Sequence, residues 1–193
     1  MDRPKHPLIL ASASPQRRVL LRKLGIPFRI IPSRVAENLR EKSPRRLVVA
    51  LARKKAVAIA RKRPGALVLG ADTIVWRAGR IIVKPKDGPD SLRILRFLNG
   101  RKHWVYTGAA LAWDGGRSVL SGAAASAVYA RKLSKEELAR LAGKHGDKAG
   151  GYAVQDRKDP FISRVSGDRD NVIGLPLRLV RALMRRYVTG RKK

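Results

Sequence analysis

The chain has 193 residues, with 44 Lys+Arg against 14 Asp+Glu, a formal net charge of +30 and no cysteine. The length is enough for one domain with a real core, and a hydrophobic fraction of 44% argues against wholesale disorder. Lack of cysteine excludes disulfide frameworks, thiol nucleophiles and thiolate zinc sites. The apolar run behind the polar, basic first residues is only Leu8–Ala11, shorter than the roughly 7–15 of a signal segment, and no run approaches the ~20 residues of a membrane span, so a cytoplasmic protein with no membrane partner is expected.

Taken in order, Leu8–Ala11 reads as a short buried strand. Ser12–Ser14 then lead into Pro15 and a helix through Leu24, closed by Gly25. Serine as N-cap, proline at the first helical position and glycine past the end are the usual helix punctuation. Phe28–Ile31 is a second strand. Ser43-Pro44 opens a second helix by the same signal, with an apolar stripe at Leu47, Val48, Leu51, Ala52, Ala56, Ile59 and Ala60. Lys55 falls on that stripe. Either its stem snorkels to water or its ammonium reaches into an anion site, because burying an unpaired ammonium is costly.

Ala66–Ala71 is a continuous apolar run, the pattern of a strand buried on both faces. It places Asp72-Thr73 at the strand's C-terminal end, where α/β sheets bind ligands. Asp72 is there either a turn former or a candidate acid, base or metal ligand. Ile74–Trp76, the Ala78-Gly79 turn and Ile81–Val83 predict a hairpin delivering Lys84-Pro85. Ser91–Leu98 is a third helix. His103–Thr107 and Ala109–Trp113 read as two strands, and Val119–Ala130 as a third, weaker one. Ser134-Lys-Glu-Glu137 is a capping box. Glycines 143, 146, 150 and 151 precede Tyr152–Gln155. Phe161–Val165 is a last strand, and Asn171–Pro176 leads into a final helix ending near Tyr187. This alternation predicts an α/β fold around a mixed sheet, as a single domain over 1–187 with a disordered basic tail at 188–193.

Three features bear on chemistry. Ser12, Ser14, Arg17 and Arg18 surround a helix N-terminus, where N–H groups, the helix dipole, hydroxyls and guanidinium groups favour phosphate. His6, His103 and His145 are scattered, without metal-ligand spacing, and read as structural or surface residues. Acids are scarce, so Glu37 and Asp72 stand out as a pair able to hold Mg²⁺ while substrate phosphates complete its shell. The charge favours anionic partners without naming one, and nonspecific nucleic-acid binding is one consequence.

Leu10-Ala-Ser-Ala-Ser-Pro-Gln-Arg-Arg18, Leu51–Ala56, Gly70-Ala-Asp-Thr-Ile-Val75, Lys84-Pro85, Tyr106-Thr-Gly108, Asp147–Gln155 and Asn171–Leu177 together resemble the Maf family of nucleotide pyrophosphatases, in order and spacing. The resemblance implies an elongated, two-lobed fold like that of inosine triphosphatases, often dimeric. It also implies hydrolysis of a nucleoside triphosphate to the monophosphate and pyrophosphate with Mg²⁺ or Mn²⁺. The role implied is nucleotide-pool cleaning, with a link to septum formation. Asp72 matches the family's proton acceptor and Glu37 an acid of the metal or water site. Ser12, Arg17, Lys55 and Lys84 match phosphate-binding positions. Gln16, Thr73 and Gln155 fall on positions that separate a dTTP/UTP branch from a 7-methyl-GTP branch. Thr73 and Gln155 resemble the first; Gln16 departs from both. A 7-methyl-GTP or broad modified-nucleotide pyrophosphatase is the alternative, and a basic nucleic-acid-binding module without catalysis the rival.

Overall fold

A computed structural model describes residues 6–38, 41–156 and 158–190. Seven strands form one mixed sheet in the order β2-β1-β3-β5-β6-β7, with β4 paired to β3. The strands are β1 (Leu8–Leu10), β2 (Phe28–Ile30), β3 (Leu67–Arg77), β4 (Arg80–Ile82), β5 (Lys102–Trp113), β6 (Ser118–Ala130) and β7 (Ile162–Ser166). The helices are α1 (Pro15–Arg22), α2 (Pro44–Lys62), α3 (Gly88–Leu98), α4 (Lys135–Leu141), α5 (Arg169–Ile173) and α6 (Leu177–Thr189). β1 pairs in parallel with both β2 and β3, whereas β4 and β7 are antiparallel to their neighbours. The α/β mixed sheet expected from the sequence is therefore the fold observed.

The chain divides into two compact units. The first comprises 1–72, 107–124 and 174–193; the second comprises 73–106 and 125–173. In the first, α2 lays Ala52, Ala56, Ile59 and Ala60 onto Ile9, Ala11, Val68, Ala110 and Ala112. Small residues on both sides let backbones approach closely. A Cβ at Gly70 would sit 2.3 Å from the Ala52 carbonyl oxygen, and one at Gly108 would sit 2.1 Å from that of Val48. Neither backbone neighbour is free to swing aside. Gly108→Ala is expected to destabilise the protein by about 3 kcal/mol or more, at the upper end of overpacking costs. A thermal scan reads this as a loss of several degrees; an unchanged midpoint would show that α2 packs less closely.

The second unit has its own core, in which Val75, Ile94, Leu95, Leu98, Val105, Val128, Tyr152 and Phe161 are buried together. His103 lies within this unit, 1% exposed, with Nε2 2.8 Å from the Tyr152 hydroxyl. Burial drives its pKa down to about 4, so it is neutral near pH 7, as a structural histidine should be.

Several expectations change. β3 does not end at Ala71: it continues through Asp72 to Arg77, so Asp72 is mid-strand. Thr73, Ile74, Val75 and Trp76 are strong strand formers, and the expected hairpin is the end of this long strand turning into β4. The positive φ of Ala78 and Gly79 makes that turn. The two strands expected around Gly108 are one, β5, because Gly108 serves close approach rather than a break. α3 starts a turn earlier than expected, capped by the Asp87 side chain, which accepts the Asp90 N–H. The Asn171 segment contains a separate short helix, α5. α6 extends to Thr189, so residues 188 and 189 of the expected tail are helical; 191–193 lie outside the described residues. Among the described residues no helix is long and apolar enough to cross a membrane.

Candidate active site

In the first unit, α2 delivers Lys55 to β3. Lys55 is 8% exposed and Asp72 5% exposed, so the stem does not snorkel to water. Lys55 Nζ donates to Asp72 Oδ1 at 2.6 Å and lies 2.6 Å from Glu37 Oε1. Two carboxylates thus share one ammonium. The close approach at Gly70, two residues before Asp72, is what brings α2 near enough for this contact.

Glu37 comes from the irregular segment after β2, and its side chain is exposed. Consecutive lysines hold that segment to α2: Lys54 Nζ donates to the Ala36 carbonyl at 2.7 Å, and Lys55 takes Glu37. One face of the cluster is therefore buried and the other open.

The β1–α1 turn adds a further cation. Arg17 Nη1 donates to Ser12 Oγ at 3.2 Å, and its Nε donates to the Gly174 carbonyl at 2.9 Å. Ser12 Oγ also accepts the Ser14 N–H. Ser14 is the N-cap of α1: its oxygen accepts the Arg17 N–H, and its hydroxyl donates to Gln16 Oε1 at 3.0 Å. Ser14 is thus committed to the cap, whereas Ser12 fixes the guanidinium.

The electrostatics are dominated by burial. Asp72 is pushed above the ordinary carboxylate range by desolvation, which outweighs the opposing pull of Lys55 and Arg17; the Glu37 charge adds to the rise. A buried ion pair whose acid is nonetheless raised is a more basic carboxylate than a surface aspartate. Burial lowers Arg17, while Asp72 and Glu37 act the other way; an arginine stays charged regardless.

A family model for Maf-like protein matches residues 7–187. The chain belongs to the Maf family. It is 47% identical over 180 residues to a dTTP/UTP pyrophosphatase of Elusimicrobium minutum, covering 93% of this chain and 98% of that one. It is 41% identical over 180 residues to a dTTP/UTP pyrophosphatase of Deinococcus radiodurans (92% and 91%), and 44% identical over 182 residues to one of Moorella thermoacetica (92% and 93%).

Of the site residues expected from the resemblance, Ser12, Gln16, Arg17, Glu37, Lys55 and Asp72 all belong to the first unit, and Lys55 joins Glu37 to Asp72. Thr73, Lys84 and Gln155 belong to the second unit. Thr73 is half-buried in β3; Lys84 and Gln155 are exposed. Sequence reasoning missed the Gly174 carbonyl that orients Arg17. The nearest signal was Gly174 itself, which has a positive φ in the Asn171–Leu177 stretch.

The divalent cation implied by Maf family membership can be tested against this donor set. Glu37 and Asp72 offer hard oxygen ligands, which suit Mg²⁺ or Mn²⁺ rather than softer metals. Among the described residues no group of three His, Cys, Asp or Glu side chains is arranged to hold a metal ion. The set therefore fits a metal that takes one or two carboxylates and relies on substrate phosphates and water, and it does not fit an all-protein cage.

Proposed function

We propose that this Maf family protein hydrolyses dTTP and UTP to the nucleoside monophosphate and pyrophosphate, a house-cleaning activity on the nucleotide pool. The observation that carries the reading is the cluster in which Lys55 holds Glu37 and the buried, basic Asp72 together. The names of the dTTP/UTP pyrophosphatases at 41–47% identity support the substrate class.

Glu37 and Asp72 would hold a divalent cation, which neutralises charge on the phosphates when bound. The chain's own residues do the rest. Arg17, locked by Ser12 and Gly174, and Lys55 present cations to the triphosphate. Asp72 accepts the proton of a water as its oxygen bonds to the α-phosphorus. The bond from that phosphorus to the bridging oxygen breaks, and pyrophosphate leaves with the electron pair. Positioning and electrostatics supply most of the rate in such chemistry. The roles of Lys84 as a phosphate cation, and of Gln16, Thr73 and Gln155 in specificity, rest on the family match.

A second, compatible reading concerns the charge. Asp2, Glu37, Glu41, Asp72 and Asp114 are the only acids in the first unit, while most of the 44 Lys+Arg lie there. That surface attracts polyanions nonspecifically, and the attraction weakens with salt.

The experiment is a panel of ribo- and deoxyribonucleoside triphosphates with 7-methyl-GTP and Mg²⁺, run at low and high salt with products separated. Release of pyrophosphate from dTTP and UTP, falling as salt rises, is the expected result. Turnover of 7-methyl-GTP alone would overturn the substrate assignment, and no turnover by a folded protein would overturn the reaction.

A further inference from the structure

The second unit contains a turn whose fixation exceeds what a surface loop needs. Residues 153–156, 158 and 159 lie between the 3₁₀ turn at Ala149–Gly151 and β7. Asp159 closes this turn from both ends: Oδ2 accepts the Ala153 N–H at 2.8 Å and Oδ1 accepts the Phe161 N–H at 2.9 Å. Its carboxylate is only 2% exposed. The backbone adds Asp156 N–H to the Ala153 carbonyl and Asp159 N–H to the Asp156 carbonyl. Arg169 Nη2 donates to the Val154 carbonyl at 2.6 Å. Behind the turn, His145 Nε2 lies 3.3 Å from Asp159 Oδ2 and 3.5 Å from Asp156 Oδ2, and Lys144 Nζ is 3.7 Å from Asp156 Oδ2.

What this clamp presents is Gln155, exposed at the turn. Among the described residues its amide has no hydrogen-bond partner. A carboxylate buried with both oxygens spent on backbone N–H groups is an expensive way to make a loop. It fixes the backbone from which the Gln155 side chain extends, and a Gln amide offers both a donor and an acceptor to a base edge.

We infer that Asp159, backed by His145, is a positioning residue that fixes Gln155 and through it sets the choice of nucleotide base. The inference rests on the proposed function, in which Gln155 reads the base. Asp159 touches neither substrate nor reacting atoms; it acts through the turn. Truncating it frees two backbone N–H groups and lets the turn sample other conformations, so base discrimination falls while the phosphate chemistry continues.

The test compares Asp159→Ala, Asp159→Asn, His145→Asn and Gln155→Ala, with the double variant of Asp159→Ala and Gln155→Ala. Steady-state kinetics are taken with dTTP and with a purine triphosphate, and amide hydrogen exchange is followed over 153–156 in the protein without nucleotide. Asp159→Ala is expected to lower the dTTP preference at least tenfold, mainly through KM, with kcat within about twofold. Asp159→Asn, which keeps one acceptor, is expected to recover part of the loss, and His145→Asn to show a smaller one. The double variant is expected to match Gln155→Ala alone, since coupled residues are not additive. Exchange over 153–156 should quicken in Asp159→Ala.

Unchanged preference in Asp159→Ala, or effects of the two residues that simply add, would overturn the inference. If Asp159→Ala fails to fold, Asp159→Asn and His145→Asn decide the matter by the same readouts. If wild type hydrolyses dTTP and Gln155→Ala changes its selectivity, a silent Asp159 overturns this inference alone. If Gln155→Ala is silent, or wild type is inactive, the underlying reading falls and takes the inference with it.

Discussion

Replacing Asp72 by Asn is expected to lower kcat for dTTP hydrolysis by about 10²–10⁴-fold, the usual worth of a general base, with the fold retained. Asn has nearly the same shape and still accepts from Lys55, which keeps Glu37 as its counter-ion. The loss therefore isolates the proton acceptor. The sign of the stability effect also follows. An acid whose folded pKa is raised favours the protonated native state, so it costs stability as pH rises from the unfolded value through the raised one. Asn removes that cost, and the variant's thermal midpoint near neutral pH should fall little or not at all. A variant that keeps most of its activity would remove Asp72 from the base role.

Lys55→Met is expected to be nearly as damaging, by a different route. Methionine keeps the buried stem but leaves Asp72 without its strongest counter-charge, and uncompensated buried charge is costly. Desolvation already raises Asp72 against the pull of Lys55; without that pull it rises further. At a given pH more of the carboxylate is protonated, so less of the base is available and, with the cation lost as well, kcat/KM falls by about 100-fold. Wild-type activity should fall as pH drops through the raised Asp72 value, giving an acid limb above the ordinary aspartate range. In Lys55→Met that limb should move to higher pH, and raising the pH should recover part of the rate. A KM increase with an unmoved pH profile would instead assign Lys55 to phosphate binding alone.

The parts of the molecule legible in the sequence are those set by local rules. Ser14-Pro15, Ser43-Pro44 and the Ser134–Glu137 box each open a helix where expected, because caps are chosen by the chain within four residues. Lys55 was conspicuous because a cation on an apolar stripe conflicts with its own helix, and the contact with Asp72 resolves that conflict. Gly108 reads as a break between two strands, yet, like Gly70, it is a place where α2 presses its backbone onto a continuous strand, a fact that depends on residues far along the chain. Periodicity does not reveal Glu37, since it sits in an irregular segment positioned by α2; the scarcity of acids and the resemblance point to it. The Asp159 clamp was invisible for the same reason, as its partners His145, Ala153 and Phe161 share no repeating pattern.

The most direct test of the central claim is hydrolysis of dTTP by the wild-type protein in ¹⁸O-enriched water, with the products resolved by mass. Attack of an Asp72-activated water on the α-phosphorus predicts one ¹⁸O in thymidine monophosphate and none in the released pyrophosphate. Label in the pyrophosphate, or release of orthophosphate in its place, would contradict it.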